Sequence, residues 1–293
     1  MKPSYYGLPI LKKPVWTWEV PVYFFVGGAA GAAAMIGAAA QLAGGNERLV
    51  RDARRVAAIG ANLSAPLLIA DLGRPERFLN MLRVFKPQSP MSVGAWILSA
   101  FGASAMGALI LPKKFGDTAA IVSAAAGLGM ATYTGVLIGA TVIPVWAKHA
   151  ATLPIHFGAS ATASAASILE LRGHRSTALN AIGLTAAMIE TAMGVRIEFG
   201  HDGESEPLRS TLTRVGAALS GPVPLVLRLV AGRSKKTRRL AAVSAIAGSL
   251  ITRLAWIAAG RASVGDDSRV RNQIGERAPA RQAGENKPKT SRQ

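Results

Sequence analysis

Asp71, His156, Glu190 and Arg253 are ionisable residues set inside, or at the ends of, long apolar stretches, and Tyr133 lies in another such stretch. Carboxylate and imidazole groups can take up and release protons, a phenol can donate a hydrogen bond, and a guanidinium can hold negative charge that develops on a neighbouring oxygen. Ionisable groups at membrane depth are costly and normally face a partner or a wet cavity, so each is a candidate for function. Glu19, Tyr23, Arg74 and Thr134 flank the same stretches and complete the candidate set. The plain alternative is a group of ion pairs that locks helices together. Burying several ions for stability alone rarely gives a net gain, which favours a functional reading of the set as a whole.

The residues also bound the chemistry from the other side. The chain has no cysteine, hence neither a disulfide nor a thiolate-held iron–sulfur cluster of its own. Its four histidines offer no facing pair for a b-type haem: His149 and His156 open the same stretch, His174 lies in a loop and His201 follows the sixth stretch. Zinc spacings are absent as well, so no metal site is expected in this chain.

The elements that must position these residues follow from hydropathy. Half of the 293 residues are apolar, 17% are charged, and the mean hydropathy is +0.28, a composition suited to lipid rather than water. Stretches long enough to cross about 30 Å of hydrocarbon occur at 20–43, 54–72, 91–111, 118–146, 150–169, 178–197, 212–230 and 240–259. All are rich in Ala and Gly, as in GGAAGAAAMIGAAA at 27–40, and small residues let helix backbones approach closely where lipid supplies no hydrophobic drive. Connections are short and carry breakers such as Gly44-Gly45 and Pro87 to Pro90. The fold class predicted is therefore an all-α integral membrane protein, an antiparallel bundle of eight transmembrane helices over 20–260. Residues 1–19 form a non-spanning N-terminal segment without the pattern of a cleaved signal peptide, and residues 261–293 a disordered basic tail.

Charge then orients the bundle. The net charge of +18 sits in short clusters between the apolar stretches, which reads as loop charge in a membrane protein rather than a nucleic-acid surface. Arg51, Arg54, Arg55, Lys113, Lys114 and the run from Arg233 to Arg239 all fall on the side opposite the termini, so both termini are expected outside the cytoplasm, on the periplasmic face of a bacterial inner membrane. In a serpentine of eight crossings the acids, histidines and arginines of the candidate set all fall toward the face that bears the N-terminus. One shared wet pocket near that face is expected.

Four stretches carry a family likeness: WTWEVPVYFFVGGAAG at 16–31, DLGRPERFLNML at 71–82, TGVLIGATVIPVW at 134–146 and NAIGLTAAMIETAMG at 180–194. In this order and at these helix positions they resemble the NrfD family, also called the polysulfide-reductase PsrC type, over residues from about 5 to 264. The resemblance implies an eight-helix membrane anchor that binds menaquinone or ubiquinone near the face where a ferredoxin-like iron–sulfur subunit docks. That subunit exchanges electrons with a catalytic subunit, often a molybdopterin enzyme, so the chain would be the quinone-binding membrane subunit of a respiratory oxidoreductase and not catalytic alone. Asp71 with Arg74, and Tyr133, match positions that the family associates with the quinone pocket, and Arg253 matches a recurrent family feature. Glu19, followed by Pro21 and Tyr23, departs from the polar residue common at the start of the first helix. On this reading Tyr133 donates a hydrogen bond, Asp71 and His156 relay protons, and Arg74 stabilises negative charge. The competing classes are an ion-translocating transporter, for which no internal repeat is visible, and a non-redox scaffold.

Overall fold

The computed structural model describes residues 11, 13–72, 74, 76–199, 203–230 and 234–264. Most of the N-terminal segment, Gly73 and Pro75 of the DLGRP turn, His201, Arg233 and the tail from 265 onward lie outside the described residues. All regular structure among the described residues is helical: α1 (Glu19–Leu42), α2 (Glu47–Asp71), α3 (Arg77–Arg83), α4 (Pro90–Ile110), α5 (Lys113–Gly139), α6 (Pro144–Lys148), α7 (Leu153–Leu171), α8 (Thr177–Phe199), a 3-10 turn (Gly203–Arg209), α9 (Thr211–Ser220), α10 (Pro222–Val230) and α11 (Lys235–Val264). Five of them, α1, α4, α5, α8 and α11, are long and apolar enough to cross a membrane. Helices α2 and α7 have 25 and 19 residues but are more polar, and α9 with α10 covers the seventh apolar stretch in two pieces.

Local chemistry sets several boundaries. The side chain of Asn46 accepts from the Arg48 amide at 2.8 Å and caps α2, while Ser89 caps α4 ahead of Pro90, whose missing amide hydrogen is no loss at a helix start. Gly44 and Gly173, at φ +63° and +97°, close the turns after α1 and α7 in the left-handed region. The fourth stretch ends at Gly139 rather than running to Trp146, because the Pro144 ring excludes the helical carbonyl four residues back and pushes Ile143 to extended backbone. Trp146 then sits in the short α6. Helix α2 starts seven residues before the apolar stretch it contains, and α11 runs to Val264, so residues 261–264 are helical where a disordered tail was expected.

The seventh stretch is broken. Pro222 and Pro224 have no amide hydrogen to give to the carbonyls of Ala218 and Ser220, and Gly221 supplies the bend between them. The hydroxyl of Ser244 in α11 compensates in part by donating to the Leu219 carbonyl at 2.8 Å.

Helix α1 occupies the centre and packs against α2, α5, α7 and α11. Ten of its fifteen buried residues are Ala or Gly. At the crossing with α5, a Cβ on Gly31 would lie 2.3 Å from the carbonyl oxygen of Gly127, so the two backbones touch. Larger aliphatic side chains point outward instead: Ile59, Leu63, Val122, Leu128, Val226 and Leu229 are all exposed. Small residues inside with branched apolar residues outside is the arrangement that lipid, not water, stabilises.

Candidate functional site

Two phenols and a carboxylate converge where α1, α2, α4 and α5 meet. Tyr23 from α1, Asp71 at the end of α2, Met81 from α3, Gly94 from α4 and Tyr133 from α5 line a cavity of about 250 Å³. Gly94 makes room for this arrangement, since a Cβ there would stand 1.9 Å from the Tyr133 ring. Tyr133 and Tyr23 are buried, and among the described residues neither hydroxyl forms a hydrogen bond, which leaves both available to a ligand. Asp71 is half-buried at the rim. The Thr17 amide donates to its Oδ1 at 3.4 Å, and the Thr17 hydroxyl donates to Glu19, so one residue ties the segment before α1 to both acids. Trp16 stacks on Trp146 with ring centres 5.4 Å apart and closes the cavity on one side. Polar donors at one end and apolar walls elsewhere suit a flat, weakly polar ring that carries hydrogen-bond acceptors.

His156, Glu190 and Arg253 form a second centre between α7, α8 and α11. His156 Nδ1 lies 3.5 Å from Glu190 Oε1. Arg253 is fully buried, donates to the Phe157 carbonyl at 2.9 Å, and stands 4.6 Å from the centre of the Phe157 ring. Among the described residues neither Glu190 oxygen has a hydrogen-bond partner, and Thr134 and Thr252 likewise bury hydroxyls without one. A narrow crevice of about 30 Å³ reaches His156 past the Glu198–Arg214 pair, which is joined at 2.7 Å.

The candidate residues thus divide into two groups where one shared pocket was expected. Phe24 and Phe157, with ring centres 6.3 Å apart, stand between the groups, and Trp16 packs edge-on against Phe24. Tyr23, Asp71 and Tyr133 line the cavity, Glu19 is outside its lining and is linked to Asp71 through Thr17, and His156, Glu190 and Arg253 lie beyond the aromatic layer. Thr134 is buried outside the cavity lining, and Arg74 is exposed at the surface.

Other residues were not anticipated. Gly94 and Thr17 shape the cavity, although neither type carries a chemical signal in sequence. The opposite face, where nearly all the charges were expected to be loop-type Lys and Arg, holds buried ion pairs. Arg228 forks onto Glu170 with Nη1 and Nη2 at 2.9 and 2.8 Å, both side chains being buried. Asp52 accepts from Arg172 and His174, each at 2.8 Å, and from Arg55 at 3.2 Å. The Arg172 hydrogen bond, with that of His174, holds the Asp52 carboxyl well below the usual carboxylate range. Arg228 could have been found: an arginine inside an apolar stretch at 212–230 is a candidate by the rule that marked Arg253. Among the described residues no group of three or more His, Cys, Asp or Glu is placed to hold a metal ion.

Residues 10–265 match the sequence model of the family described as "Polysulphide reductase, NrfD". No curated protein matches the chain.

Proposed function

Because this chain belongs to the NrfD family, whose members are membrane subunits of oxidoreductase complexes, we propose that it binds quinone in the cavity at Tyr23, Asp71 and Tyr133 and exchanges electrons with a docked iron–sulfur subunit. The observation that carries this reading is the convergence of two unpaired phenols and a half-buried carboxylate on one void with apolar walls. Quinone, when bound, takes up two electrons and two protons to become quinol. Tyr133 and Tyr23 donate hydrogen bonds to the head group and fix its orientation. Thr17 donates to Oδ1 of Asp71 and positions the carboxyl group, which holds and moves a proton at Oδ2 between the cavity and water at the rim. Trp16 and Phe24 exclude water from the inner wall, and the apolar side chains of Leu68, Met81, Met91 and Leu137 accept an isoprenoid tail. Menaquinone and ubiquinone both meet these requirements.

The finer architecture belongs to the same proposal. The bundle crosses the inner membrane of a bacterium eight times: α1, α2, α4, α5, α7, α8, the broken α9/α10 pair, and α11. Both termini lie on the periplasmic face, and a ferredoxin-like iron–sulfur subunit docks there beside α3 and passes electrons to or from a catalytic subunit of the molybdopterin class. In the purified complex, Asp71→Asn is expected to lower quinone-analogue reduction on the order of 100-fold, as loss of a general acid–base group does. Tyr133→Phe is expected to lower it about tenfold, the loss of one hydrogen bond. Assembly, read by size-exclusion chromatography, stays intact in both. Full turnover in both variants would leave the chain a non-redox scaffold.

A further inference from the structure

Helices α1, α2 and α5 enclose the cavity at Tyr23 and Tyr133 with one end and a second cavity with the other. The end of α1, the start of α2 and the start of α5 surround a space of about 520 Å³ lined by Gln41, Glu47, Arg51, Arg54, Lys113 and Asp117. Gly44 and Gly45, in the turn between α1 and α2, complete the lining without adding a side chain to it. Arg54 holds the wall together. Its Nη1 donates to the Ala108 carbonyl near the end of α4 at 3.2 Å, and its Nη2 donates to Gln41 at 2.7 Å and to the Asp117 carboxylate. Its Nε is buried without a hydrogen-bond partner among the described residues, a donor still to be satisfied.

The Arg54 pair uses up the charge of Asp117. Arg51, Lys113 and Glu47 are exposed, and none of them forms an ion pair among the described residues. Two cations against one carboxylate leave a single net positive charge, the complement of one phosphodiester. Helix α5 also begins at this wall without a side-chain cap, so the amides of its first turn add partial positive charge. Lysine and arginine at helix ends serve elsewhere as simple topological anchors. Two features go beyond anchoring. The unpaired cations stand in the wall of a space that a head group fits, and large apolar side chains are exposed beside it: Leu42 follows Gln41, Ile110 ends α4 two residues after Ala108, and Phe115 comes two residues after Lys113. A phosphate in water needs no apolar flank, whereas the acyl chains of a lipid do. Basic pockets between membrane helices suit anionic lipid head groups for this reason.

We propose that this cavity binds the phosphodiester of an anionic phospholipid. Arg51 and Lys113 hold the phosphate oxygens, Glu47 accepts a hydrogen bond from a glycerol hydroxyl of the head group, and the acyl chains lie against Leu42, Ile110 and Phe115. Arg54 is a positioning residue, which keeps Gln41 and Asp117 in the wall. The site stands apart from the quinone reading and does not depend on it.

The test titrates the full chain, purified in a non-ionic detergent, with dioleoylphosphatidylglycerol and counts bound lipid by native mass spectrometry. The wild type is expected to hold this lipid roughly tenfold more tightly than dioleoylphosphatidylcholine, which carries no net charge and offers Glu47 no hydroxyl. Arg51→Gln combined with Lys113→Gln should weaken phosphatidylglycerol on the order of tenfold or more, the effect of two cations lost near a membrane surface. The charge-keeping pair Arg51→Lys and Lys113→Arg should stay near wild type, which separates lost charge from damage to the fold. Lys235→Gln combined with Lys236→Gln removes the same charge from the same face, at the exposed start of α11 and outside the cavity lining, and should leave the affinity unchanged. Equal affinity for the two lipids, full affinity after loss of Arg51 and Lys113, or equal weakening by the two double-glutamine variants overturns the site. Displacement of phosphatidylglycerol by excess inorganic phosphate overturns the lipid as its occupant.

Discussion

The helices before α6 and those after it bury different things. In the first half, α1, α2, α4 and α5 enclose a void of about 250 Å³ lined by neutral phenols, with its carboxylate at the rim. The second half buries Glu170, Glu190, Arg228 and Arg253 together with His156, yet its crevice at His156 measures only about 30 Å³. The difference follows from what each kind of group needs. A buried ion pair such as Glu170 with Arg228 is held by direct hydrogen bonds, so helices close around it and leave no room for a ligand. A binding void needs volume withheld from the packing, and Gly94 withholds it next to Tyr133. The half richest in buried charge is thus the worse place for a head group.

Substitutions in the two halves should therefore separate stability from binding. The largest effect is expected at Arg228→Met, which strands the Glu170 carboxylate in the interior and should lower stability by about 3–5 kcal/mol, read as the unfolding midpoint in detergent. Replacing both Glu170 and Arg228 by Met should restore most of that loss, because two apolar side chains need no mutual charge. A double variant as unstable as the single one would show that the pair does more than neutralise itself. Next comes Gly94→Ala, whose methyl meets the Tyr133 ring and should cost about 1–3 kcal/mol by overpacking. That variant should also raise the quinone-analogue KM, since the phenol is displaced from the cavity. An unchanged KM would remove Tyr133 from the binding wall.

Much of this division was legible in the sequence, though unevenly. Apolar length and Ala/Gly content located every long helix, and the acids and arginines at 71, 190 and 253 stood out as isolated charges in apolar surroundings. Their depth could be counted along each helix. Which helix faces which could not, because helices of mixed Ala, Gly and Ser have weak amphipathic patterns and present similar faces all round. Hence His156 and Tyr133 read as neighbours, although an aromatic layer stands between their centres. Gly94 carries no chemical signal until the ring it admits is in place. The break at Gly221 was written in Pro222 and Pro224, but continuous hydropathy over 212–230 masked it.

Asp52 ties the halves together at the face opposite the cavity, and it supplies the smallest effect. It lies in α2, whereas Arg172 and His174 follow α7, so its hydrogen bonds fasten the first half to the second. The folded state holds this carboxyl well below the range it has in an unfolded chain. As pH falls through about 4, the ordinary carboxylate value, the unfolded chain binds a proton that the folded one still refuses. The contribution to stability is thus complete above that range and declines below it. Because Arg172 and Arg55 are 43% and 54% exposed, solvent screens the network, and its contribution should stay below about 1 kcal/mol. Melting curves in detergent from pH 7 down to about pH 3 should show the wild type losing its margin over Asp52→Asn as acid is added. A margin that is constant over that range, or that widens toward acid, would mean the carboxylate does not fasten the two halves through its charge.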